Sequence, residues 1–331
     1  MGDKLTDLPA VCSRFDFGAV HLSREAEAFR GELNRVILSL CESLPDSSRT
    51  EAALFLMKYL QAPFSGGLNF VNYFYAPTWS ILFWLLQAFP DDRKLDPEYV
   101  QAAQTGHTMA MFLHAFDDHL TDGQLPLTHL ALLLRSQAWM NMNRAFERLA
   151  RDVTQGSDIV RGFIDDYYAS IAASVGTQSL NSYCDLFRKQ MATGLIVPII
   201  LAKRLCSDEA YAHSIEAAYC SFGIAWRLLD DIQDLENDMH QGVHSAIYVC
   251  LNTALRDCWD KNTTAQKGQN GRRGQTILRY ILEKGVIESL QARICSELDS
   301  AAARADACSL PELAGELRCL LKPLREGPNH S

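Results

Sequence analysis

The stretch Phe222-Gly-Ile-Ala-Trp-Arg-Leu-Leu-Asp-Asp-Ile-Gln-Asp234, continued by Leu-Glu-Asn-Asp238, decides how the rest of the chain is read. Its apolar residues recur at helical spacing, and Asp230, Asp234 and Asp238 fall at i, i+4 and i+8, a ladder that drifts only about 80° over two turns. Stacked carboxylates repel: two unit charges 4 Å apart at an effective dielectric of about 20 cost roughly 4 kcal/mol. Such a ladder must face open water, hold protons or bind cations. A second cluster, Asp117-Asp118-His119-Leu120-Thr121-Asp122, lies upstream and stacks Asp118 on Asp122.

Working outward, both clusters adjoin apolar sequence, Met109 to Phe116 before the first and Phe222 to Leu229 before the second, and Arg227 is the one nearby cation. A solvated acidic face would carry interleaved Lys and Arg. Hard oxygen ligands without Cys or paired His suit Mg²⁺, which binds through one or two carboxylates and keeps positions for phosphate oxygens. The expected partner is therefore a diphosphate. His107, His114 and His119 do not share one face, and they read as core or surface histidines rather than a transition-metal site.

Composition narrows the classes further. The chain has 331 residues, 48% of them hydrophobic, a formal net charge of -9 and no basic stripe, which argues against a nucleic-acid partner. Its basic run, Lys267 to Gly274, is Gly-rich and reads as a loop. Ten cysteines are scattered without a C-x-x-C pair, as in a reduced cytoplasmic protein. The N-terminus has no apolar signal core, and Met1-Gly-Asp-Lys-Leu-Thr6 matches only a loose myristoylation pattern. Phe70 to Phe89 is apolar but interrupted by Asn72, Pro77 and Gln87, so it reads as a buried helix rather than a membrane span.

Helical periodicity is expected near 20–43, 48–61, 77–89, 97–121, 126–152, 158–174, 178–204, 208–239, 245–258, 274–284, 286–305 and 309–322, with Pro and Gly at the breaks and no strand pattern. The implied fold is all-α: one domain, a bundle of about ten to thirteen helices around a central cavity, with ligand sites on facing helices. Pro198 is expected to kink its helix.

With these residues in view, the chain resembles the class I isoprenoid synthase superfamily, which holds trans-prenyl diphosphate synthases and class I terpene synthases. Gly223 to Asp234 stands where the prenyl synthases have G-x-A-F-Q-x-x-D-D-x-x-D, and Lys189, in Phe187-Arg-Lys-Gln-Met-Ala-Thr-Gly194, near a diphosphate-binding Lys. Three elements depart from that pattern. Ser65-Gly-Gly-Leu-Asn-Phe70 replaces a Gly-Gly-Lys-x-x-Arg-Pro element, Gly123-Gln-Leu-Pro126 replaces Arg-Arg-Gly, and His244 stands near an expected lysine. In the first motif Thr121 takes the usual third-Asp position and Asp122 follows one residue late.

The resemblance implies that Asp117, Asp118, Asp122, Asp230, Asp231, Asp234 and Asp238 hold about three Mg²⁺, with Asp117, Asp118, Asp230 and Asp234 central to catalysis. Arg188, Lys189 and Arg227 would bind the diphosphate. Trp84, Phe112, Leu113, Phe116, Phe222 and Trp226 are expected to line the cavity, because Phe112 and Leu113 stand five and four residues before Asp117. Loss of the acceptor-site cations favours a terpene synthase that ionises one allylic isoprenyl diphosphate and lets the carbocation cyclise or rearrange. The alternatives are a prenyltransferase using isopentenyl diphosphate or an unusual acceptor, and a noncatalytic subunit of a prenyl synthase heteromer. A homodimer is expected by the same resemblance.

Overall fold

A computed structural model of the chain describes residues 8–59, 69–121, 123–172, 178–261 and 270–326. Among these residues there are helices and no strands. After a short helical stretch at residues 8–12 come α1 (Arg24–Glu42), α2 (Asp46–Tyr59), α3 (Pro77–Gln87), α4 (Pro97–Thr121), α5 (His129–Ala150), α6 (Gly156–Ala172), α7 (Leu180–Gln190) and α8 (Ala192–Leu205). The chain continues through α9 (Glu209–Gln233), α10 (Leu235–Gln241), α11 (Ala246–Cys250), α12 (Thr253–Asp260), α13 (Asn270–Lys284), α14 (Val286–Ala307) and α15 (Pro311–Glu326).

Local chemistry starts many of these helices. Ser23, Thr128, Asp208 and Asn252 each accept a backbone N–H of the following first turn, and Ser179 forms a reciprocal capping box with Ser182. Burial then sorts them. In α3 every residue from Pro77 to Phe83 is buried, as is α4 from Gly106 to Leu113 and α8 from Leu195 to Ala202 across Pro198. Helices apolar all round belong at the centre. The amphipathic α5, α14 and α15 pack outside them, α5 on α4, α14 on α9 and α15 on α14. One continuous buried cluster runs from Leu8 to Leu324. No helix among the described residues is long and apolar enough to cross a membrane, Phe70 to Phe89 included.

The expected helix over 178–204 breaks at Met191, whose thioether packs on Gly223, where a Cβ would come within 2.3 Å of Met191 Sδ and Cε. Kinking therefore falls at this junction, while Pro198 sits inside α8. The helix expected over 208–239 bends at Asp234, yet the Asp234 and Asp238 N–H groups still donate to the Asp230 and Asp234 carbonyls at 2.9 and 2.8 Å. Residues 245–258 divide at the extended Leu251, and the part of the basic run from Asn270 is helical rather than loop.

Candidate active site

Two faces of α4 and α9 oppose one another. At the open end, Asp118 and His114 of α4 line a polar pocket with Trp226, Arg227 and Asp230 of α9, Phe187 of α7, and Tyr73. Burial pushes the Asp230 carboxyl up to about 6; Arg227 offsets part of this, and Asp231, Asp234 and Asp118 add to it. The Tyr73 phenol is raised by burial and then by Asp230, Asp118 and Asp234, so acids of both clusters converge on one hydroxyl. His119 holds that wall, its Nδ1 2.6 Å from Tyr59 Oη and its Nε2 3.1 Å from Tyr73 Oη.

The other acids are placed differently from the sequence expectation. Asp117 turns away to α5, where Arg135 grips both carboxylate oxygens at 2.8 Å and the Tyr167 hydroxyl approaches at 3.5 Å. Asp231 is 1% exposed: its Oδ2 accepts from the Tyr183 hydroxyl (2.7 Å) and the Ala246 N–H (2.9 Å), and its Oδ1 lies 3.3 Å from Arg227 Nη2. It locks α9 to α7 and α11 rather than facing the pocket. Asp234 is exposed one turn beyond Asp230, and Asp238 is buried, its carboxyl pushed up to about 8 by burial and then by Asp231. Asp122 lies outside the described residues.

Below the acids the walls become apolar. Phe74, Ala110, Met111, His114, Phe187, Met191, Thr193, Gly194, Tyr219, Phe222, Gly223 and Trp226 line a second pocket that shares His114, Phe187 and Trp226 with the first, and Thr78 lies at its far end. Each main wall is one helical stripe. On α9 it runs Tyr219, Phe222, Gly223, Trp226, Asp230; on α4 it runs Met111, His114, Ala115, Asp118.

No family model matches the chain, and no curated protein sequence matches it. The geranylgeranyl pyrophosphate synthase of Corynebacterium glutamicum superposes with a TM-score of 0.65 at 13% identity, over 97% of this chain and 99% of that one. The isoprenoid synthase fold is the fold of this chain. A heptaprenyl diphosphate synthase from Staphylococcus aureus (TM-score 0.64, 12% identity, 93% of this chain and 99% of that one) is similar to it. So is a polyprenyl synthase from Caulobacter crescentus complexed with calcium and isoprenyl diphosphate (0.61, 15%, 89% and 95%).

Within this isoprenoid synthase fold the expected cavity residues divide by helical phase. Phe222 and Trp226 line the apolar pocket. Phe112, Leu113 and Phe116 do not: Phe112 stacks on Phe116 and packs on Phe70 inside the core. Asp118 rather than Asp117 faces inward, and the α4 residues that line the two pockets with it are Ala110, Met111, His114, Ala115 and His119. Trp84 points the other way, its indole N–H donating to Glu316 of α15 at 2.8 Å.

Arg188 pairs with Asp185, and Lys189 lies 3.6 Å from Asp166, so neither expected diphosphate ligand lines the pocket. Arg227 does. Its Nε donates to the Tyr183 hydroxyl at 2.8 Å and its Nη1 lies 3.4 Å from Asp230. His244 is held by Asp260 at 2.9 Å and stacks on Tyr248. Arg135, Tyr183 and His114 escaped the sequence reading. The i+4 spacing of His114 and Asp118 could have found the last.

No three His, Cys, Asp or Glu side chains among the described residues gather into a closed metal cage. What converges is a set of carboxylates, Asp118 and Asp230 from two helices with Asp234 on the next turn, beside the His114 and His119 imidazoles, in a pocket where burial raises the cost of the bare Asp230 and Asp234 charges. That donor set fits a hard cation that completes its shell with oxygens of another molecule.

Proposed function

We propose that the protein is a Mg²⁺-dependent enzyme that ionises an allylic isoprenyl diphosphate and joins the chain to an acceptor such as isopentenyl diphosphate. The observation that carries this reading is the opposition of Asp118 and Asp230 across the mouth of a pocket whose deeper wall is apolar and aromatic. Asp118, Asp230 and Asp234 would hold the metal. Bound Mg²⁺ supplies Lewis-acid stabilisation of the negative charge that grows on the leaving diphosphate. Arg227 offers a permanent cation beside Asp230. Phe74, Phe222 and Trp226 keep water from the allylic chain and present π faces to positive charge, worth about 0.5–2 kcal/mol per contact. Each of the three compared structures is a geranylgeranyl, heptaprenyl or polyprenyl synthase, which supports transfer over the cyclisation that the sequence alone favoured.

Cyclisation stays as a second reading because of one observation. Among the described residues, Arg227 is the one Arg or Lys that lines either pocket, so a second diphosphate finds few counter-charges there. Incubation with Mg²⁺ and geranyl, farnesyl or geranylgeranyl diphosphate, with and without isopentenyl diphosphate, separates the two. A longer diphosphate formed only with isopentenyl diphosphate is the expected result. Hydrocarbon or alcohol from the allylic substrate alone would establish cyclisation instead, and no diphosphate release under any condition would refute both.

Self-association belongs to the same proposal. Leu132, Leu133 and Met140 of α5 and Tyr168 and Ile171 of α6 are exposed apolar side chains on adjoining helices, a face suited to a second copy of the chain.

A further inference from the structure

The apolar pocket does not end in hydrocarbon. Followed in helical phase, the α4 stripe that begins at Asp118 reaches the fully buried His107, which lies outside the pocket lining, and the α9 stripe that begins at Asp230 ends at Tyr219, each eleven residues from its acid. Both terminal residues reach the same atom. His107 Nε2 lies 2.7 Å from the Thr78 carbonyl oxygen, and the Tyr219 hydroxyl donates to that oxygen at 2.9 Å. Thr78, in the first turn of α3, lines the pocket with Tyr219 and is 5% exposed.

The polar groups of this floor are not used up. Among the described residues, Thr78 Oγ1 and His107 Nδ1 are both buried without a hydrogen-bond partner. A carbonyl can only accept, so His107 carries its proton on Nε2 and leaves Nδ1 as a bare acceptor. Burial pushes the imidazole down to about 4, in keeping with that neutral form. Buried polar atoms without partners are rare in folded proteins and ask for a water or a ligand atom. An apolar pocket needs none of them.

Depth sets the length of what would reach this floor. Eleven residues of α-helix rise about 16 Å. An extended chain advances about 3.5 Å per three bonds, so that distance takes about fourteen bonds, close to a farnesyl chain with its C–O and O–P bonds.

We propose that the floor formed by Thr78 and Tyr219, with His107 hydrogen-bonded to the Thr78 carbonyl outside the pocket lining, is a subsite for one hydroxyl oxygen, hydrogen-bonded by Thr78 Oγ1, at the tail end of an isoprenyl chain whose diphosphate lies between Asp118 and Asp230. The substrate class is then a terminally hydroxylated allylic diphosphate. This rests on the isoprenyl diphosphate reading of the mouth, but the floor has its own chemistry and its own test.

The experiment compares farnesyl diphosphate with its ω-hydroxy derivative, with Mg²⁺, in the wild type and in Thr78→Val. The hydroxylated chain is expected to have the higher kcat/KM in the wild type by about tenfold, the worth of one neutral hydrogen bond, and the ratio of the two kcat/KM values is expected to fall to about one in Thr78→Val. Equal or better use of the plain chain by the wild type overturns the subsite. Turnover of neither diphosphate refutes the reading of the mouth, and the floor is then judged by ligand-induced melting shifts of the metal-free protein. There, 1-hexanol but not hexane should raise the melting temperature of the wild type, and neither should raise that of Thr78→Val. If both probes act alike on both proteins, the subsite is wrong. If Thr78→Val melts lower than the wild type without ligand and shows no change in probe selectivity, the hydroxyl serves a resident water and the proposal fails.

Discussion

Replacing each acid of the first cluster in turn separates two roles that sit side by side in the sequence. Asp118 faces Asp230 across the polar pocket, whereas Asp117 is held by Arg135, with side-chain exposures of 19% for Asp117 and 37% for Arg135. Asp118→Asn removes a charged oxygen that lines the pocket with Asp230, one of those proposed to hold Mg²⁺, and keeps the shape. Taking the loss of one preorganised electrostatic partner as the guide, kcat should fall about 10²–10³-fold, with a higher Mg²⁺ requirement and little change in melting. Asp117→Asn instead breaks a bidentate ion pair that is partly screened by water, at a cost of about 1 kcal/mol. Arg135 keeps its place over Trp139, 5.7 Å from the ring centroid, which limits the damage. Activity should fall less than tenfold, and melting should drop by a few degrees. The assay is diphosphate release across a Mg²⁺ titration, with thermal unfolding of both variants in EDTA. If Asp117→Asn loses as much activity as Asp118→Asn and raises the Mg²⁺ requirement equally, the helical phase assigned to α4 is wrong.

Three further outcomes follow from the same geometry. Asp238 has its carboxyl raised to about 8 by burial and then by Asp231, so between pH 6.5 and 8 the folded state binds more protons than the unfolded one, and metal-free stability should fall as pH rises through that window. Below about pH 6.5 the buried His107 and His114, whose pKa values burial lowers, work in the opposite direction, so the decline is to be sought only above it; Asp238→Asn should flatten it, and a wild-type melting temperature level from pH 6.5 to 8 in EDTA would contradict the burial argument. Trp84→Phe should cost about 1–3 kcal/mol by leaving the buried Glu316 short of a donor, while product length stays unchanged because Trp84 does not line the cavity. Tyr168→Glu combined with Ile171→Glu should convert a dimer to a monomer in sedimentation, and a wild-type chain already monomeric at micromolar concentration would remove the self-association proposal.

Much of the fold was legible because its signals are local. Apolar spacing, Pro and Gly punctuation and polar caps place α1, α3, α4, α5 and α14 close to where they form. The misplaced breaks are those decided by packing. Met191 leaves the helical line where it meets the bare backbone of Gly223 on another helix, and Asp234 bends a ladder whose spacing reads as straight. In the candidate site, Asp230, Arg227, Phe222 and Trp226 were readable from one stretch, since a single helix carries them at fixed angles.

By itself, then, the sequence determined an all-α chain with two acidic clusters on apolar helices, because a period of 3.6 residues fixes which side chains share a face. It could not say which face turns inward. That was decided by partners distant in the chain: Arg135 draws Asp117 outward and leaves Asp118 to the pocket, Tyr183 and Ala246 bury Asp231, and Asp166 holds Lys189 away. The physical reason is that neighbouring residues on a helix differ by about 100° in direction. A choice between them rests on charges and cavities supplied by other helices, which only the tertiary structure brings together.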